Sequence, residues 1–210
     1  MKKDNSWKLE RIANRKNRKQ AFIERFYLRN FTPHFNFTNL PPTKRLEFEV
    51  LDEVNYLQIY ELFGGDSNPY VIDDYKDLDK LEEYIDHQLY LNKNSTKKGA
   101  CDWFVKLKET KETIGILNIH ELSRETFNDN HKKCFIGYSI SEKFRRQHYA
   151  TEAVENLIHY AFTHFGMNKI VANVEKGNIA SVELLLKFGF IDKTENYYFK
   201  DQDDYYELYK

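Results

Sequence analysis

Arg145-Arg146-Gln147-His148-Tyr149-Ala150 joins a strand-like run over residues 134–141 to a helix-like run over 150–165. The chemistry such a junction offers is anion binding. The first N–H groups of a helix have no intrahelical partner, and the helix dipole places partial positive charge there. A pyrophosphate satisfies both, and Arg145 and Arg146 add full charges beside it. An Arg-rich turn can also be a solvated basic cap, so the loop by itself leaves both readings open.

The flanking residues narrow the choice. Phe135-Ile136-Gly137-Tyr138-Ser139-Ile140 precedes the loop and Tyr149-Ala150-Thr151-Glu152-Ala153 follows it. Further on come Asn178-Ile179-Ala180-Ser181 and then Lys187-Phe188-Gly189-Phe190. In this order and spacing the chain resembles the GNAT superfamily of acyl-CoA-dependent N-acyltransferases, and within it the RimJ/RimL-type branch. The loop pattern of that family is Gln/Arg-x-x-Gly-x-Gly/Ala. Arg145 fills its first position and Ala150 its last, while His148 stands where the family usually has its first glycine. The resemblance covers roughly residues 43–210, and Thr43-Lys44-Arg45-Leu46 matches the Thr-x-Arg-Leu opening of the branch.

Glycine at position 148 would let the backbone approach a phosphate with no Cβ in the way. Histidine adds bulk there and a hydrogen-bond donor. The loop therefore either still binds CoA or has closed to it.

Acetyl transfer from a thioester to an amine needs a held thioester, a donor to its carbonyl oxygen, a route for the amine proton and a proton for the leaving thiolate. The resemblance implies that the backbone of Tyr138, Ser139 and Ile140 pairs with pantetheine amides in a gap between splayed strands. An ordinary ladder strand reads the same way. It implies further that Arg145, Arg146, Gln147, His148, Tyr149, Ala150 and Thr151 grip the pyrophosphate. Asn178 would lie against the pantetheine arm, although Asn is also a good helix N-cap.

Many members of the family carry a tyrosine general acid four residues after the Ser181 position, where this chain has Leu185. Ser181 is the candidate acid in its place. Glu121, at the end of the run over 113–120, is the best-placed carboxylate for a base. His120 points to the other face if the strand runs that far, and either residue can equally be surface polar. Glu152, in a helix's first turn, is explained by the dipole and is read as structural.

The elements that must position these groups are legible from periodicity. Residues 43–50 alternate polar and apolar as a strand does, and two helices are expected near 52–63 and 78–91. Gly64-Gly65-Asp66-Ser67-Asn68-Pro69 breaks the chain between those helices. In the family this region walls the acceptor site. Its acids, Asp73 to Glu83, either attract a cationic amine or solvate a helix face.

Strands follow at 102–108, 113–120 and 133–141. The long helix has Ala150, Val154, Leu157, Ile158, Ala161, Phe162 and Phe165 on its core face, with Gly166 as its C-cap. A strand at 169–174, a helix at 179–188 and a hairpin of 191–199 with 204–209 complete the chain. This order argues an α/β fold. The resemblance implies a GNAT fold, with a mixed, mostly antiparallel sheet, a splayed strand pair and helices on both faces. That domain, 43–210, follows a basic helix over 5–29 and a linker that holds Pro33, Pro41 and Pro42.

A chain of 210 residues with 15 Tyr and 16 Phe can bury a substantial core. No apolar run approaches a membrane span and no signal-peptide segment follows the start. Cys101 and Cys134 form no ligand or redox pattern, so no metal is expected and a reduced, cytoplasmic setting is the plain reading.

Residues 1–30 hold ten basic and three acidic residues, 10 − 3 = +7, against a net charge of −1 for the chain. Such an arm could dock on ribosomal RNA, or fold back on an acidic body. The function expected is acetyl-CoA-dependent N-acetylation of a primary amine, on a protein N-terminus or a small molecule, by a monomer or homodimer. The alternative is a weak or inactive CoA-binding domain that acts as a partner- or RNA-binding module through its basic arm.

Overall fold

The computed structural model describes residues 35–94, 99–122 and 132–210. The basic segment read as a helix over 5–29 lies outside the described residues. The elements are β1 (Leu46–Val50), α1 (Leu57–Phe63), α2 (Leu78–Asn94), β2 (Gly99–Leu107), β3 (Thr113–Leu122), β4 (Lys133–Ile140), α3 (Tyr149–Thr163), β5 (Lys169–Glu175), α4 (Ile179–Lys187), β6 (Ile191–Asp192) and β7 (Asp203–Tyr209). The strands form one sheet in the order β1-β2-β3-β4-β5-β7-β6. Every pairing is antiparallel except β4 with β5.

Alternation along the strands supplies two cores. Trp103 and Phe104, neighbours on β2, are both fully buried on opposite faces of the sheet. Trp103 joins the core under α3 and α4, with Val154, Leu157, Ala161 and Leu185. Phe104 joins Ile116 and the apolar faces of α1 and α2, including Ile59, Phe63, Leu81 and Ile85. Both sheet faces are thus covered by helices. The apolar stripe expected on α3 is the one that packs, joined by Ala153 and Tyr160. Gly166 takes φ +68 just past its end.

Three local readings differ. The helix expected from residue 52 begins at Leu57, because Asp52 Oδ1 accepts from the amides of Val54 and Asn55 and holds a turn there. The strand expected over 191–199 is only Ile191–Asp192. Asp192 Oδ1 then accepts from the Thr194 amide at 2.8 Å and starts a short 3-10 turn over Thr194–Asn196. In the segment before β1, Phe35 and Leu40 are buried in the α3 core, and Trp103 Nε1 donates to the Thr38 carbonyl at 2.8 Å.

Candidate active site

The site is built where the one parallel strand pair opens. β4 and β5 pair only at Lys133–Lys169, Cys134–Ile170 and Phe135–Val171. Beyond Phe135 they diverge, while β4 stays paired to β3 as far as Ile140. The Ser141 amide donates to the Ile114 carbonyl at 2.9 Å. Two-residue alternation back from Ser141 turns the backbone of Ser139 and Gly137 toward β3, and that of Ile136, Tyr138 and Ile140 toward the gap. Of the three strand residues singled out in sequence, Tyr138 and Ile140 therefore present backbone to the open side and Ser139 does not. At about 3.3 Å per residue, the open edge from Phe135 to Ile140 runs roughly 16 Å.

At the mouth of this gap lies the Arg loop. A 3-10 turn, Glu142–Phe144, leads into Arg146 at φ +60 and His148 at φ +62, and α3 starts at Tyr149. Left-handed residues set among right-handed ones turn successive N–H groups to one side and form an anion-binding nest. The amides of residues 146–151 make no hydrogen bond within the described chain, and that of Glu152 is the first to be taken, by the His148 carbonyl at 3.2 Å. His148 holds the left-handed conformation that glycine would adopt freely, and histidine is among the side chains that tolerate it.

Arg145 is engaged inside the fold. Its Nε donates to the Ile140 carbonyl at 2.9 Å and its Nη2 pairs with the carboxylate of Asp66, whose side chain is only 1% exposed. Glu152 is likewise occupied, accepting from Thr43 Oγ1 at 2.6 Å, the Arg45 amide at 2.7 Å and Arg45 Nε at 2.7 Å. Burial acts to raise its pKa, but these donors outweigh it and hold the carboxyl below its ordinary range. Arg45 also donates to the Gln147 carbonyl at 3.1 Å and lies over the Tyr149 ring. The start of β1 is thereby sewn to the start of α3.

On the α4 side of the gap, Asn178 caps the helix through Oδ1, which accepts from the Ser181 amide at 3.3 Å. Tyr138 reaches Ser181 from β4, its hydroxyl donating to the Ser181 carbonyl at 3.4 Å. Burial pushes this phenol up to about 12, so it stays protonated at neutral pH. Leu185 is fully buried.

At the closed end of the gap, β3 runs on to Leu122 with a register shift. Ile119 and Leu122, three residues apart, both lie in the α3 core, so an extra residue is taken up between them. Glu121 adopts φ +50 there. His120 lies on the α1–α2 face, and with the extra residue strict alternation no longer assigns Glu121 to the opposite one. His120 stacks on Phe135 with ring centroids 5.3 Å apart, and burial lowers its pKa against the opposing pull of Glu121.

The same face holds Asp102, which burial pushes up to about 7 and whose Oδ1 accepts from the Tyr84 hydroxyl at 2.8 Å.

Sequence reasoning missed Asp66 and Tyr70. The loop after α1 crosses the mouth of the gap. Asp66 meets Arg145 at the β4 side, and the Tyr70 hydroxyl stands 2.9 Å from where a Cβ of Gly177 would be, at the β5 side. Each contact joins residues far apart in sequence and leaves no local signal.

A splayed parallel pair with an amide nest at its open end defines the acetyltransferase class the sequence suggested. Residues 45–191 match the family described as acetyltransferase (GNAT) domain, and the chain belongs to that family. It is 34% identical over 94 residues to the uncharacterized N-acetyltransferase YoaA of Bacillus subtilis, covering 45% of this chain and 50% of the relative. It is 32% identical over 95 residues to the ribosomal protein uS5-alanine N-acetyltransferase of Escherichia coli, covering 45% and 47%.

The chain spans about half the length of the curated relatives it matches. Among solved structures, an acetyltransferase from Agrobacterium tumefaciens shares the fold with TM-score 0.63 at 21% identity, over 87% of this chain and all of that one. Among the described residues, no helix is long and apolar enough to cross a membrane, and no cluster of His, Cys, Asp and Glu could hold a metal.

Proposed function

We propose that the chain transfers an acetyl group from acetyl-CoA to a primary amine by direct attack on the thioester. The observation that carries this reading is the run of amides at 146–151 without partners, set at the open end of the strand gap. The nest would take the pyrophosphate, and the open-side backbone of Tyr138 and Ile140 would pair with the pantetheine arm. The amine nitrogen attacks the carbonyl carbon, the carbon–sulfur bond breaks, and the products are an amide and free thiol. In this reading Glu121 takes the amine proton, directly or through water, and Ser181 protonates the leaving thiolate. Asn178 holds Ser181 in place by capping α4.

The uS5-alanine relative makes a protein N-terminus the first acceptor to test, with small-molecule amines second. The +7 charge of residues 1–30, ten basic against three acidic, would suit docking on ribosomal RNA. Calorimetric titration with acetyl-CoA, beside the His148→Gly variant, tests the reading. Micromolar binding by the native chain supports it. Binding by neither protein overturns it, and binding only after the glycine substitution means a fold kept with its cofactor loop closed.

A further inference from the structure

The loop after α1 is braced by its own side chains and anchored at two places that belong to the cofactor side. Asp66 Oδ1 accepts from the Asn68 amide at 2.9 Å, and Asn68 Oδ1 from the Tyr70 amide at 3.0 Å, so two successive side-chain turns fix its path. At one end the Asp66 carboxylate, almost wholly buried, pairs with Arg145. Arg145 in turn holds the last carbonyl of β4 and stands immediately before the unpartnered amides. At the other end Tyr70 abuts Gly177, next to the capping residue Asn178, and only a residue without Cβ permits that approach.

The gap between β4 and β5 is therefore bridged on both faces. Tyr138 and Ser181 close the α4 face, and residues 64–71 cross the α1–α2 face.

Resting on the reading above, we propose that Asp66 and Tyr70 are positioning residues that couple the cofactor loop to the acceptor-side wall. A pyrophosphate bound by the 146–151 amides fixes the loop on which Arg145 sits. Through the Arg145–Asp66 pair and the Tyr70–Gly177 contact, residues 64–71 are then held in one position across the gap. The amine meets a formed wall only when the acetyl donor is seated. An ion pair with one partner buried is suited to this role, because loss of either charge leaves the other uncompensated.

Hydrogen–deuterium exchange of the full chain, with and without excess coenzyme A, tests the coupling. In the native protein, coenzyme A is expected to slow exchange at 146–151 and also at 64–71, each by about tenfold or more. In the Tyr70→Leu variant, which leaves the cofactor loop itself unchanged, the slowing at 146–151 remains and that at 64–71 is lost. If that variant does not fold, Asp66→Asn at the other anchor carries the same expectation.

Slowing at 146–151 without any change at 64–71 in the native protein overturns the coupling and leaves the cofactor reading intact. Equal slowing at 64–71 in native and variant proteins overturns it as well. No change in either segment overturns the cofactor reading itself, and the coupling with it.

Discussion

The hydroxyl of Tyr138 on β4 lies 3.4 Å from the carbonyl oxygen of Ser181 on α4, so the two sides of the strand gap touch across it. This contact separates two roles at one place. Tyr138→Phe removes a single neutral hydrogen bond and is expected to cost about 1 kcal/mol of stability. Ser181→Ala, by contrast, is expected to lower kcat while acetyl-CoA affinity stays the same. Denaturant melts and steady-state rates with a confirmed amine check the pair. Full turnover in a protein carrying both Ser181→Ala and Glu121→Gln would remove the roles given to those residues.

His148 holds φ +62 at the start of α3, which costs a non-glycine residue on the order of 1 kcal/mol. His148→Gly is expected to melt at the same temperature or higher and to bind acetyl-CoA at least as tightly. His148→Val should weaken binding about tenfold or more, because a β-branched side chain excludes the left-handed region. Calorimetry on the two variants decides the matter, and equal affinity of both would mean that the loop backbone is not the phosphate holder.

Gly115, on β3, supports the end of β4. A Cβ there would stand 2.5 Å from the Ser139 carbonyl oxygen and 2.7 Å from Ile140 Cδ1. Gly115→Ala is expected to cost roughly 2 kcal/mol or more and to weaken acetyl-CoA binding by shifting the strand that leads to the loop. Gly65, with nothing within 4 Å of the same position, serves as the control, since Gly65→Ala should be close to neutral. A Gly115→Ala protein as stable as the native one would show that β4 gives way freely.

Burial raises the Asp102 carboxyl from 3.8 to about 7, against a hydrogen bond from Tyr84 that acts to lower it. The folded state binds this proton more tightly, so its stabilising effect is complete below the unfolded value and fades as pH rises toward the folded one. The stability of the native protein relative to Asp102→Asn should therefore fall between about pH 4 and pH 7 and then level off. The span is up to roughly 4 kcal/mol. Melts of the two proteins across that range test it, and a constant difference would mean that Asp102 does not titrate in this window.

Much of the scaffold is readable from local pattern. The stripe on α3 and the alternation of β1 to β4 place these elements because burial repeats at the period of the backbone. The Arg loop is readable because a six-residue turn between strand and helix concentrates its donors in one stretch of chain. The bulge at Glu121 is not, since two adjacent polar residues before Leu122 look like a strand ending. Tyr197-Tyr198-Phe199 imitates a strand, yet the Asp192–Thr194 turn diverts the chain first. The Asp66–Arg145 pair spans 79 positions and needs the folded sheet to bring its ends together.

Three residue pairs, from Lys133–Lys169 to Phe135–Val171, make up the ladder between β4 and β5, preceded by the Lys132 carbonyl accepting from the amides of Asn168 and Lys169. Everything beyond that seam, β5 with β7 and β6, comes from one stretch of chain, residues 169–210, closed by short connections. A unit so local in sequence is expected to open at a lower free energy than the whole molecule, although Ile170, Leu185 and Phe190 share the core under α3. The gap proposed to take the pantetheine arm is thus also the shortest interior ladder of the sheet. Pulled from its ends, the molecule should part there first, shedding its C-terminal three strands as one piece while the larger half still stands.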